Sequence, residues 1–329
     1  MTRRLFASAA ALCLVAGLPA PAASAPADED ARAWLLRIHR APQELDYEGT
    51  FVYRQGGQLE TMRIVHRADD GRVRERLIAL TGPPREVIRT DDEVRCYLPD
   101  QQSVFIEQRR LDRKAFLSIV PERLPEVEQN YAMQLGDVGR IAGRSAQQLL
   151  IRARDDYRYG YRLWADRETG LLLKADLMSD RGRVLEQFMF TQIRLGGPIP
   201  DEALEPRTPM TGLIRYDDTR VAGEGPSRSW RAAQPPKGFR LTGVVVRRLP
   251  KADRVVQQLV YSDSLAAVSV FIEELDGGVA QEMVEGPMRM GALYALGRFL
   301  DGHHVTVVGE VPAKTIAAIG NSLVPAPAE

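Results

Sequence analysis

From Tyr47 to Arg194, apolar and polar residues alternate with a period of two, the spacing of a strand whose side chains point to opposite faces. YEGTFVYR sets Tyr47, Gly49, Phe51 and Tyr53 on one face and Glu48, Thr50, Val52 and Arg54 on the other. The alternation returns in LETMRIVHR, VRERLIAL, REVIR, EVRCYL, SVFIE, YAMQL, QQLLIRA, YRLWAD, GLLLKADLMS and VLEQFMFTQIR. Turn formers separate the runs: Gly56-Gly57 with the chemistry of a tight hairpin, then ADDGR at Ala68–Arg72, Asp91-Asp92, Pro99-Asp100, Asp155-Asp156, Glu168-Thr169-Gly170 and Asp180-Arg181-Gly182. About ten strands joined by short turns predict one large antiparallel sheet rather than βαβ units. A sheet of that width curls, and its concave face must be covered or closed. Helical spacing occurs in ADEDARAWLLRIHRAPQ, with Ala33, Leu36 and His39 or Arg40 in register and Trp34, Leu35 and Ile38 nearby, Asp28 or Asp30 as cap and Pro42 as its end. It recurs in DRKAFLSIVPERL, with Ala115, Phe116 and Ile119 on one side. So little helix leaves an apolar concavity that suits a ligand pocket.

The pattern changes after Arg194. Residues 197–225 are dense in Gly and Pro and read as a linker crossing a surface. Periodicity resumes in GFRLTGVVVRRLP, RVVQQLVYSDSLAAVSVFIEEL and GALYALGRFLDGHHVTVVGEVPAKTIAAIGNSL, which predict four or five strands and a final helix. The expected organisation is a half-barrel domain at 28–196, the linker, a smaller α+β domain at 226–324 and a tail at 325–329. The fold class is mainly β, or α+β: a large curved antiparallel half-barrel sheet with a covering helix, and the smaller carboxy-terminal domain.

Charge and cysteine content narrow the function. Lys+Arg and Asp+Glu both number 44, so the chain lacks the basic excess that nucleic acid favours, and no nucleic-acid partner is expected. MTRRLFASAAALCLVAGLPAPAASAPADED has the parts of a secretory signal: Arg3 and Arg4, an apolar run from Leu5 to Leu18, and small residues allowing cleavage after Ala22 or Ala27. Leu12 before Cys13 argues against a lipoprotein cysteine, and export then leaves Cys96 as the one thiol, in a buried strand position. HExxH, GxSxG, P-loop and dinucleotide fingerprints are all absent, so no catalysis, cofactor or metal is expected. His66, on one strand face with Met62 and Ile64, reads as a partly buried scaffold residue. Adjacent His303 and His304 point to opposite faces of a strand and cannot share one metal; at most one of them should face out. The stretch HHVTVVGEVPAKTIAAIG reads as strand, turn and helix, with Pro312 opening the helix and Ala313, Ile316, Ile319 or Gly320, and Leu323 as its stripe.

YEGTFVYRQGGQLETMRIVHRADDGRVRERLIALTGPPREVIR, EVRCYLPDQQSV and YRLWADRETGLLLKADLMSDRGRVLEQFMFTQI resemble the larger domain of the RseB/MucB family of periplasmic sigma-E regulatory proteins. LVYSDSLAAVSVFIEE and HHVTVVGEVPAKT resemble its smaller carboxy-terminal domain. Ser264 in YSDSLA departs from the glycine usual in the family, which puts the turn under strain if that position needs a positive φ. The resemblance implies a larger domain similar to lipoprotein carriers of the LolA type. It implies a periplasmic negative regulator of the envelope-stress sigma factor that binds the periplasmic segment of a membrane anti-sigma factor and shields it from proteolysis. It also implies release favoured by lipid-bearing ligands, lipopolysaccharide or mislocalised lipoprotein, and a homodimer. Tyr47, Phe51, Tyr53, Met62, Ile64, Tyr131, Met133 and Leu135 are the lipid-pocket candidates, the methionines suiting variable acyl chains. The anti-sigma factor is expected to contact 226–324 and the cleft between domains. The alternative, a periplasmic lipid or lipoprotein carrier or chaperone, leaves the smaller domain unused.

Overall fold

A computed structural model describes residues 27–108, 124–220, 229–249, 254–275 and 284–326. The alternating runs become β1 (Tyr47–Gln55), β2 (Gln58–Asp69), β3 (Arg72–Ala79), β4 (Glu86–Arg89), β5 (Glu93–Leu98), β6 (Ser103–Gln108), β7 (Tyr131–Ile141), β8 (Arg144–Ala153), β9 (Gly160–Asp166), β10 (Leu172–Met178) and β11 (Val184–Leu195). Their hydrogen-bonded order is β7-β8-β9-β10-β11-β1-β2-β3-β4-β5-β6, antiparallel throughout. Among the described residues β6 and β7 do not pair with each other, which leaves the sheet open. The hairpins are tight where two residues at positive φ meet: Gly56 and Gly57 at 56° and 90°, and Asp70 and Gly71 at 47° and 79°. That pair of conformations matches the twist of the flanking strands.

Helix α1 (Ala27–Glu44) packs across the concave face. Its buried stripe is Ala31, Leu35, Ile38 and Ala41, one step round from the expected Ala33, Leu36 and His39 or Arg40. The sheet beneath offers Tyr131, Leu149, Ile151 and Leu163 to the first three and Tyr47, Phe51 and Ile64 to Ala41. The helix also runs through Pro42 rather than ending there. A proline in the last turn forfeits few helical bonds, and the Pro42 carbonyl accepts a bond from His66. Of the second expected helix, only Leu124 lies within the described residues; it opens α2 (Leu124–Asn130), which buries Leu124 and Val127.

The segment expected as a linker carries two elements. Beside α3 (Asp201–Leu204), Ile199 and Leu204 pack on Val65, Arg76 bonds the Ala203 carbonyl, and Glu86 accepts from the Arg207 and Thr208 amides. Strand β12 (Ile214–Arg220) then pairs parallel to β6. The free edge of β6 offers unpaired backbone groups, and the segment that follows the half-barrel takes them. The end of β12 pairs with β14 (Arg240–Leu249), so one strand touches both sheets.

The smaller unit adds β13 (Trp230–Ala232), β15 (Arg254–Ser262), β16 (Ala267–Glu274), β17 (Gly286–Met290), β18 (Leu293–Leu300), β19 (His303–Gly309), α4 (Ala313–Asn321) and β20 (Leu323–Pro325). Among the described residues its sheet runs β14-β15-β16-β19-β18-β17, six strands where four or five were expected. Ile316 and Ile319 of α4 close its core over Leu259, Val268, Val270, Ile272, Val305 and Val307. The expected tail begins later than 325, because Pro325 pairs with Trp230 and the Ala326 amide bonds the Ser229 carbonyl.

Candidate functional site

The eight pocket candidates fall into two packed clusters under α1. Tyr47, Phe51, Met62 and Ile64 are buried with Phe188 and Phe190, and half-buried Tyr53 lies at their rim. The Phe51 ring is 4.9 Å from Phe188 and 5.9 Å from Phe190 in tilted and edge-on contacts. Tyr131 and Met133 are buried in the second cluster, with Leu135 half-buried at its border. The concave face therefore gathers them, filled by α1 in this conformation. One polar atom there lacks a protein partner among the described residues, the buried Tyr47 hydroxyl. An open cleft of about 390 Å³ lies elsewhere, lined by Arg67, Asp69, Arg72, Arg74, Thr90, Asp91 and Asp92. Its charged wall does not suit acyl chains, and Asp201 of the docked segment already pairs with Arg67 and Arg74.

His66 is fully buried, not partly, and lies flat on Tyr47 with ring centres 4.3 Å apart. Its Nδ1 is 2.9 Å from Glu75 Oε1 and its Nε2 2.7 Å from the Pro42 carbonyl. Each ring nitrogen thus has an oxygen within hydrogen-bond reach. Arg89 donates to the other Glu75 oxygen at 3.2 Å. Burial, reinforced by the Glu75 carboxylate, pushes the Tyr47 phenol well above its usual range. This closed cluster ties α1 to β2 and β3.

A second assembly joins the two units, and the sequence patterns did not reveal it. Asp263 sits in the YSDSLA turn between β15 and β16. Its Oδ1 accepts from the Leu265 and Ala266 amides at 2.9 and 2.7 Å, an arrangement that makes the turn. Its Oδ2 accepts from the Tyr131 hydroxyl at 2.8 Å and from Arg158 Nη1 at 2.6 Å, across the junction. Arg158 and Asp263 side chains are both 0% exposed. Arg158 also donates from Nη2 to the Lys237 carbonyl at 2.5 Å and from Nε to Asp155 at 2.9 Å. Its guanidinium lies over the Tyr131 and Phe239 rings. Burial first, then the Asp263 charge, pushes the Tyr131 phenol well up.

Ser264 has φ 84°, the left-handed conformation that its place in the turn put in question. Its hydroxyl donates to Glu126 at 3.2 Å, and Arg240 clamps the same carboxylate, so the strained residue gains a contact across the junction. Further contacts surround this centre: Lys314 Nζ bonds both Asp156 oxygens at 2.7 Å, Thr315 bonds the Tyr157 carbonyl at 2.5 Å, and Arg247 reaches Glu107 at 3.1 Å. Ala292 at the β17–β18 turn packs on Tyr159 and Leu177.

His303 and His304 are both buried on opposite faces, so neither faces out. His303 packs edge-on to Trp230 and bonds the Asp301 carbonyl, and His304 packs on Phe299 near the Val284 carbonyl. Among the described residues, no group of three or more His, Cys, Asp or Glu is placed to hold a metal ion. Cys96 is half-buried rather than buried, and burial raises its thiol above the usual range, which disfavours the thiolate.

Two family models match the chain, the MucB/RseB N-terminal domain over residues 30–208 and the MucB/RseB C-terminal domain over 224–324. The chain is 35% identical over 306 residues to the sigma factor AlgU regulatory protein MucB of Pseudomonas aeruginosa, covering 90% of this chain and 91% of the relative. It is 26% identical over 315 residues to the sigma-E factor regulatory protein RseB of Escherichia coli K12, covering 95% and 96%. A solved structure of MucB in complex with MucA(peri) superposes with a TM-score of 0.69 at 33% identity, covering 91% of this chain and 100% of that one.

Proposed function

The chain belongs to the MucB/RseB family, and from that premise we propose that it is a periplasmic negative regulator of an envelope-stress sigma factor. It binds the periplasmic segment of a membrane anti-sigma factor and shields that segment from proteolysis. The observation that carries this reading is the match across both units to a MucB whose structure was solved with MucA(peri). A carrier of lipid alone needs only the half-barrel. Here the smaller unit is bonded to it through buried groups, so binding across both is the more economical use of the fold. The partner contacts 226–324 and the cleft beside the junction, and a homodimer is part of the same reading.

Lipid-bearing ligands favour release by entering the concave face. Two features support this: α1 is the helix over the paired apolar clusters, and Tyr47 presents a buried hydroxyl that a lipid ester or headgroup oxygen would satisfy. The experiment is capture of the chain by the periplasmic segment of a sigma-factor antagonist from the same genome, with and without added lipopolysaccharide. Capture that lipopolysaccharide weakens supports both statements. Capture indifferent to lipid removes the release mechanism, and no capture in either condition removes the regulator reading.

A further inference from the structure

Several charged pairs between the two units lie at the surface. Lys314 and Asp156 are 48% and 69% exposed, and Arg240 and Glu126 are 46% and 21% exposed, so water and salt screen both pairs. Among the described residues, the backbone pairing of β12 with β14 involves the end of the strand, Thr219 and Arg220. Arg158 and Asp263 differ from all of these because no water reaches either. A buried pair tolerates little misfit, since a charge left without its partner in the interior is costly. Both groups are fully engaged: Asp263 accepts four bonds, two inside its own turn and two from the half-barrel. Arg158 donates to its own strand connection, to Asp263 and to the Lys237 carbonyl of the other unit. A tilt of one unit against the other strains these directional bonds together.

We infer that Arg158, Asp263 and Tyr131 form a buried lock that makes the half-barrel and the smaller sheet one rigid body, so that this cluster, rather than the connecting segment, sets their orientation. The inference does not depend on the partner proposed above. Asp263→Asn isolates the lock from the turn. The remaining Asn oxygen still accepts from the Leu265 and Ala266 amides, while its NH2 faces two donors, Arg158 and Tyr131.

Small-angle X-ray scattering and amide hydrogen exchange on the full chain read the result. Asp263→Asn and Arg158→Met are expected to raise the radius of gyration and maximum dimension. Exchange around residues 155–159 and 261–266 should rise about tenfold or more. Strands β8 and β16 should stay protected, showing that each unit remains folded. Lys314→Ala should leave both readouts as in the parent. Should Asp263→Asn fail to fold, Tyr131→Phe, which loses one hydroxyl bond, must still raise exchange at 155–159. Scattering curves that superpose on the parent with unchanged exchange at the junction, in whichever variant folds, would overturn the lock.

Discussion

The face beneath α1 and the junction between the units are both buried, yet they are built from opposite materials. The first is a set of apolar side chains such as Phe51, Ile64, Leu149 and Ile151. Its stabilisation follows area, about 1.5–3 kcal/mol for each large side chain, and depends weakly on angle. The second is one ion pair with its hydroxyl and carbonyl partners, whose value depends on every distance. An apolar face holds a unit together and still permits a helix to shift over it. A charged cluster of this kind admits one geometry, which suits a joint between units.

Substitutions can press on that contrast. Phe51→Ala should show the largest effect, about 3–5 kcal/mol of lost stability, because a fully buried ring against Phe188 and Phe190 leaves a cavity. Urea unfolding of the full chain measures it, and a loss under 1 kcal/mol would show that α1 collapses into the space. Arg158→Met comes next, about 3 kcal/mol, since Asp263 is left in the interior without its ion-pair partner. Adding Asp263→Leu should recover part of that loss, and a double variant as weak as the sum of both singles would remove the pairwise account. Tyr131→Phe should cost about 1 kcal/mol, one hydroxyl bond with the ring retained.

Acid offers a smaller effect in the half-barrel alone. Burial would raise the Asp166 carboxyl, but Arg144 and the Thr169 donors outweigh it and hold it below its usual range. A carboxyl depressed in the folded state adds stability above its unfolded value of ~3.9, and that contribution fades as pH falls through the folded value. The gap in melting temperature between the parent and Arg144→Gln should therefore be widest near neutrality and narrow in acid. A gap that widens in acid would reverse the sign. Last, Lys314→Ala should leave the melting temperature within the scatter of repeated scans, because both members of that pair are open to water.

Local pattern made most of the half-barrel legible. Alternation in YEGTFVYR and its successors marked the strands, and Gly56-Gly57 and Asp70-Gly71 marked hairpins because positive φ favours glycine. Face assignment held for Tyr47, Phe51, Met62 and Ile64, which share one cluster. The α1 stripe was displaced, because Ala31 and Ala41 look no more apolar than Ala33 until the sheet selects a face. Strand β12 was hidden because Ile214–Arg220 has almost no alternation; the open edge of β6 makes it a strand. Glu86 and Arg76 resembled ordinary strand charges, and only the docked segment after Ile199 explains their burial. Asp263 carried one readable signal, an Asp two residues before the Leu265 amide in a turn, and that signal spoke for the turn alone.

By itself the sequence determined most strands of the half-barrel and the tight turns, since these are written in a period of two residues or in single turn positions. The tertiary structure decided which face of α1 is buried, that β12 extends the sheet, and that Arg158 meets Asp263. The physical reason is range. Burial by alternation is a property of neighbours in the chain, whereas an ion pair between residues 105 positions apart has no period and exists only where two separately folded surfaces meet.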